Sequence, residues 1–308
     1  MAWDQVRTFL RDPNGLVYVN PAKDYIQPFE LPADKPNQTF VIPAGGRYGP
    51  IPFSARHDGP IEVFYVKVVV YEYDDPNWVP LTDYSIDWFL EHPGKRKQFS
   101  ARNIPLIATA GDGGRPYVLP ESIFIPAVQS LNATFYNNEA EDRKVELVFG
   151  GIKFYPNKAP DKIRKEVWGY ADRRERTYAY WQTLDEDAVL TANQTGLLRF
   201  STTPDDADLE VFKLTAESTG PFRCQIKDGQ DDRALVGNKI HSSLLFGSHH
   251  PTAAGAGLGG SGGIFPARWA TSWLVRRSVQ VQFEFDDLAG VENTVKPVLG
   301  GRKISYVS

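Results

Sequence analysis

Sulfur is nearly missing from this chain. Its 308 residues contain one cysteine and one methionine. A lone cysteine, Cys224, excludes any intrachain disulfide and fits synthesis in a reducing compartment. Within Phe222-Arg-Cys-Gln-Ile226 it reads as a half-buried strand residue, since its neighbours show no low-pKa environment. Long hydrophobic runs are missing too, and no stretch approaches the ~20 apolar residues of a membrane span. The opening Met1-Ala-Trp-Asp-Gln5 lacks the basic start and apolar run of a signal peptide. Neither sign of charge dominates: 34 basic residues against 38 acidic ones give a net charge of −4, so neither nucleic acid nor a membrane is expected as a direct partner.

Motifs that carry chemistry are equally scarce. There is no G-x-S-x-G elbow and no H-E-x-x-H. Gly255-Ala-Gly-Leu-Gly-Gly260 matches G-x-G-x-x-G only formally, because Ile264-Phe-Pro266 follows where a phosphate-binding helix would have to start. It reads as a flexible loop. Of the histidines, His57 and His92 stand apart, while His241, His249 and His250 flank Phe246-Gly247 without a carboxylate or thiolate at ligand spacing. Acidic doublets at Asp74-Asp75, Asp205-Asp206, Asp231-Asp232 and Asp286-Asp287 abut strand ends, where turn formation accounts for them. Lys95-Arg96-Lys97 reads as a solvated loop, and the sequons at Asn37 and Asn193 have no meaning without a secretory route. No catalytic, cofactor-binding or metal-binding residue and no cofactor is therefore expected.

What is abundant is the material of strands and turns: 18 Phe, 14 Tyr and 7 Trp, cut by 26 Gly and 23 Pro. With 42% hydrophobic and 23% charged residues the chain is globular, and at this length it has room for two domains. The expectation is an all-β protein.

The chain also repeats itself. Ser122–Lys153 and Ser272–Lys303 align without a gap, matching Ser122, Phe135, Val145, Val148, Gly150, Gly151 and Lys153 to Ser272, Phe285, Val295, Val298, Gly300, Gly301 and Lys303. Weaker echoes precede them: Asn37-Gln-Thr39 with Asn193-Gln-Thr195, Glu62-Val-Phe64 with Glu210-Val-Phe212, and Asn103-Ile-Pro105 with Asn238-Lys-Ile240. Within the copies Val279, Val281, Phe283 and Phe285 alternate with polar residues, as do Tyr84, Ile86, Trp88 and Leu90. In Ile61–Tyr73 the apolar face is read as Phe64, Val66, Val68 and Val70. The glycine pairs suggest a bulge or bend near the end of each domain.

Seven or eight strands per copy indicate two tandem β-sandwiches of jelly-roll type, at 37–156 and 178–308. Between them Pro160-Asp161, then Ile163, Val167, Tyr170 and Ala171, predict a helical linker over 157–177. Residues 1–36, with Pro13, Pro21, Pro28, Pro32 and Pro36, read as an extended arm that must lie along something else.

Ile123-Phe-Ile-Pro126 or Trp273-Leu-Val275, then an alternating strand, then Gly-Gly-x-Lys at 150–153 and 300–303, resemble minor virion structural proteins of tailed bacteriophages. The second copy departs from the pattern with Arg276 where the first has Pro126. The resemblance implies a non-enzymatic minor capsid, decoration or head-neck/collar protein, made in the host cytoplasm and incorporated into the virion. Its partners would be copies of itself and major capsid, portal or tail components, met through residues 1–36 and 160–176. The alternative is a tail-tip, receptor-binding module in which Trp78, Trp88, Trp269 or Trp273 grips carbohydrate.

Overall fold

The computed structural model describes residues 26–35, 38–74, 77–111, 116–158, 177–229, 238–246 and 267–305. The expected linker helix, the glycine run at 255–260, His249, His250 and the arm up to residue 25 lie outside them.

The fold is all-β. The first half contains β1 (Ile26–Pro32), β2 (Thr39–Ile42), β3 (Arg47–Ser54), β4 (Ile61–Asp74), β5 (Asn77–Leu81) and β6 (Ile86–His92). It continues through β7 (Lys97–Gln98), β8 (Ile104–Pro105), a single helical turn α1 (Leu106–Thr109), β9 (Tyr117–Ile125), β10 (Ser130–Asn137) and β11 (Arg143–Phe154). One sheet places β1 and β2 along β11, β11 beside β4, and β9 and β5 along the far side of β4; the other runs β3-β10-β6, with β7 and β8 on β6. The main strands β2, β3, β4, β6, β9, β10 and β11 thus alternate between facing antiparallel sheets, which is jelly-roll winding.

The second half contains β12 (Thr177–Thr183), β13 (Ala188–Leu190), β14 (Leu197–Thr202), β15 (Ala207–Ser218), β16 (Phe222–Asp228) and β17 (Ile240–His241). The turn α2 (Ser242–Leu245) and strands β18 (Ala267–Val275), β19 (Gln280–Asp287) and β20 (Asn293–Ser305) complete it. Its sheets are β12-β20-β15-β18, with β13 on β20, and β14-β19-β16-β17. The winding of the first half recurs, without counterparts of β5 and β7 among the described residues.

Register gives the correspondence residue by residue. Lys153 lies opposite Ile61 and Lys303 opposite Leu209, so Glu62-Val-Phe64 and Glu210-Val-Phe212 occupy the same place. The Asn-Gln-Thr echo does not: Thr39 opens β2, whereas Asn193–Thr195 lies in the loop between β13 and β14. Ile104 pairs with Trp88 and Ile240 with Cys224, so the third echo is out by one residue and Ile104 matches Ile240. Residues 26–32, expected in the arm, instead pair along the whole of β1 with β11. Their prolines are tolerated because an edge strand leaves one row of N–H groups unused.

The glycine pairs are explained by bulges. Opposite Gly150-Gly151 the register skips Phe64, and opposite Gly300-Gly301 it skips Phe212. The extra residue shifts the phase of β4, so the core face is Ile61 and Val63, then Val66, Val68 and Val70, rather than the continuous alternation through Phe64 read from the sequence. A Cβ at Gly151 would come within 1.9 Å of the Glu62 carbonyl oxygen, and one at Gly301 within 2.2 Å of that of Glu210. Backbone cannot swing aside as a side chain can. Gly151→Ala and Gly301→Ala are each expected to lose about 1–3 kcal/mol in urea denaturation, the range for forced overpacking. An unchanged midpoint would show that the strands separate freely at the bulge.

The lysine that follows each pair closes the end of its sandwich. Lys153 is buried, pairs with Asp58 at 2.6 Å and lies over the Phe29 ring. Lys303 pairs with Asp206 at 2.8 Å and lies over Tyr180, the residue matching Phe29. At the turn where the copies differ, Arg276 donates to Asp208 at 3.0 Å.

Candidate functional site

The residues flagged for chemistry do not converge. His57 is exposed on the loop before β4, His92 is buried at the end of β6, and His241 ends β17. Cys224 is buried in β16, and burial pushes its thiol well above the usual range. Among the described residues no three His, Cys, Asp or Glu side chains gather as metal ligands, and no helix is long and apolar enough to cross a membrane. Asp287 holds the backbone N–H groups of Asn193, Ala289 and Gly290 at 2.8–3.0 Å, the turn role expected of that doublet. Of the tryptophans weighed as sugar platforms, Trp88 is fully buried in the first core and Trp273 is half-buried against the second. The side chains of Trp78 and Trp269 lie outside the described ones.

Specific side chains converge elsewhere, between the two sandwiches. On β12, β15 and β20 one face supplies the second core through Tyr180, Leu214, Ala216 and Leu299. The opposite face, which strand alternation would leave wet, carries Ala179, Trp181 and Val298, and these are buried in the core of the first sandwich. Trp181 is at the centre. Its ring lies 6.3 Å from that of Trp88, its indole N–H donates to the Tyr117 hydroxyl at 3.3 Å, and its backbone N–H donates to the Phe99 carbonyl at 2.8 Å. Burial pushes the Tyr117 phenol up to about 12. The turn α1 packs on β15, with Ala108 wholly enclosed.

Charged groups ring this apolar centre. Lys213 reaches across to donate to the Val118 carbonyl and lies over the Tyr117 ring. Arg302 stands 3.7 Å from Glu121 and 2.6 Å from Glu210. Lys296 bridges Asp87 of the first sandwich at 3.2 Å and Glu217 of the second at 3.7 Å. Burial alone would lower the Lys296 ammonium, but Glu217 and Asp87 outweigh it and hold it above its ordinary value. The basic cluster read as a solvated loop also takes part, since Lys97 lies 4.5 Å above the Tyr178 ring.

None of these contacts is visible as a motif. The one sequence signal was an apolar residue, Trp181, out of phase with a strand whose other face already fills a core. The arrangement can hold two bodies in one orientation, through an apolar centre and paired charges that reject other registers.

The sequence matches no protein-family model and no curated protein. Among solved structures, that of PBCV-1 VP54, fitted into a reconstruction of the virophage Sputnik, shares 6% identity, with a TM-score of 0.36 over 92% of this chain and 97% of that one. A chain of Sulfolobus Turreted Icosahedral Virus gives 12% identity and a TM-score of 0.23, over 88% of this chain and 61% of that one. An insecticidal delta-endotoxin, Cry8Ea1 of Bacillus thuringiensis, gives 7% and 0.25, over 99% and 55%. At such TM-scores these likenesses say nothing of what the chain does.

Proposed function

We propose that this chain is a non-enzymatic building block of a virus particle, most specifically a minor capsid, decoration or head-neck component of a tailed bacteriophage. The observation that supports this reading is the joint between the sandwiches. A jelly roll has two sheets and normally keeps the outer face of each in water; here one of the four outer faces is given over to fixing a second jelly roll. The product is a stiff double body whose specific contacts serve orientation, which is what a lattice component needs and an isolated binding module does not. Such a block works by burial between many copies and neighbours, with the segment before β1 available as an additional contact.

Mass spectrometry of purified particles tests the reading. The chain is expected in fixed copy number per particle. Deleting residues 1–24, which leaves β1 intact, is expected to lower retention several-fold if the segment contributes contacts. Recovery of the intact chain only from the soluble lysate, never from particles, would sink the structural role. Turnover of a small substrate by the purified chain would do the same.

A further inference from the structure

The joint inside the chain is heterologous: the edge of one sandwich, carrying α1, β8 and β9 with Asp87 of β6, meets the outer sheet face of the next. Because the winding is repeated, each chain also has a second edge and a second face. From register, Asp87 matches Arg223 and Lys296 matches Glu146. By the same alignment Ala108, four residues beyond Ile104, matches Leu244, four beyond Ile240.

Both unused halves are open where their counterparts are closed. Ala108 is 0% exposed and Leu244 is 76% exposed. Phe124 is 9% exposed, and Leu274 at the matching place in β18 is 41% exposed. On the sheet face, Val298 is 0% exposed whereas its match Val148 is only half-buried, and Thr215 is 1% exposed where the matching Lys67 side chain retains 25%. A leucine on an exposed helical turn, where the sister copy has an alanine inside an interface, is an anchor without a socket in its own chain's described residues.

The charges decide the occupant. Inside the chain an acid on the edge, Asp87, meets a base on the face, Lys296. At the open positions the edge carries a base, Arg223, and the face an acid, Glu146. Both signs are inverted, and complementarity is kept. An edge that had merely drifted after losing its partner would have no reason to change sign together with a face on the other sandwich.

We infer that the α2 edge of the second sandwich docks on the outer β1-β11-β4 face of the first sandwich of another copy of this chain, Leu244 against β4 and Arg223 beside Glu146. This rests on the assembly reading above and gives it a surface. The contact is head-to-tail, so it generates a closed ring or an open filament according to the rotation it imposes. It is weaker than the internal joint, because Glu30 stands in β1 where β12 has Trp181 and Cys224 stands in β16 where β6 has Trp88. Reversible, salt-dependent association follows.

Sedimentation velocity on the full chain, from low to high micromolar concentration, tests it. The wild type is expected to associate. Arg223→Glu and Glu146→Arg are each expected to weaken association on the order of 10- to 100-fold, as opposed charges in a contact become like ones. The double reversal is expected to restore most of it, which no folding defect could mimic. Leu244→Asp, at an exposed position, should leave the circular dichroism melt unchanged and still abolish association. Wild-type association that all three single variants retain would overturn this surface while leaving self-assembly standing. A wild type that stays monomeric throughout would overturn the self-contact and leave the particle test of the structural role to be decided on its own. Failure of the double reversal to recover would also count against it.

Discussion

Alanine at Trp181 is expected to cost about 3–5 kcal/mol and to split one cooperative unfolding transition into two. The size follows from complete burial of the indole, and the splitting from where that burial occurs. Trp181 belongs by hydrogen bonding to β12 and hence to the second sandwich, yet its ring lies in the core of the first, against Trp88. Its neighbour Tyr180 faces the other way, into the second core. The two residues are therefore the point where two cores are stitched through one strand. Without the indole, the Tyr117 hydroxyl loses the N–H it accepts and water reaches the ring of Lys213, Lys296 and Arg302 contacts, which are worth much less when hydrated. Each jelly roll keeps its own two sheets, so each is expected to melt by itself. Calorimetry of W181A should show two overlapping endotherms, and limited proteolysis should open the segment between the sandwiches first. Trp273→Ala, half-buried on β18, is the contrast and should leave a single transition at a modest loss. A W181A protein that melts once, within about 1 kcal/mol of the wild type, would mean that the sandwiches are held together by something other than this joint.

Why the sequence disclosed the strands but not the joint follows from the physics of each. Alternation such as Val281-Gln-Phe283-Glu-Phe285 is a local consequence of the pleat, so these residues are buried as the pattern requires. The repeat was legible for the same reason, because β18 to β20 reproduce the spacing of β9 to β11 without insertion. Two local rules misled. Phe64 looked like part of a continuous apolar face because a bulge is invisible to periodicity, although Gly150-Gly151 pointed to one. Pro28 and Pro32 argued against a strand, but they lie in β1 at the sheet edge, where proline is admitted. The joint itself depends on which of two outer faces meets another body. That is a long-range fact, and no window of residues contains both Trp88 and Trp181. Nor does charge reveal it, since Asp87 and Lys296 pair across more than two hundred residues of sequence.

Stability is expected to vary little between pH 4.5 and 6.5, because two buried groups with opposite proton preferences cancel. Glu217 has only 13% of its side chain exposed. Burial moves its carboxyl from 4.5 to about 7, with Lys296 drawing it back and Asp87 and Asp83 pushing it further up. The folded chain then holds this proton more tightly than the unfolded chain does. Its contribution is complete below about pH 4.5 and is lost as pH rises to about 7. His92 is the reverse. Neither ring nitrogen has a hydrogen-bond partner among the described residues, and burial, helped by Lys95 and Lys97, moves it from 6.5 to about 4. The folded chain binds this proton more weakly, so the contribution is present above about pH 6.5 and lost as pH falls toward 4. Each shift corresponds to about 3 kcal/mol across its window, and over the shared range the slopes oppose. Glu217→Gln should therefore uncover the histidine, giving a denaturation midpoint that climbs from pH 4.5 to 6.5. His92→Gln should uncover the carboxylate and give one that falls. Asp58 and Asp287, both held below the usual carboxylate range, titrate under this window, and Asp83 is common to all three proteins. The difference between variants thus isolates the two groups even where absolute stabilities differ. Parallel profiles for the wild type and both variants would show that neither group is withdrawn from water; a falling profile for Glu217→Gln would reverse the sign argued for His92, and a rising one for His92→Gln the sign argued for the carboxyl between the sandwiches.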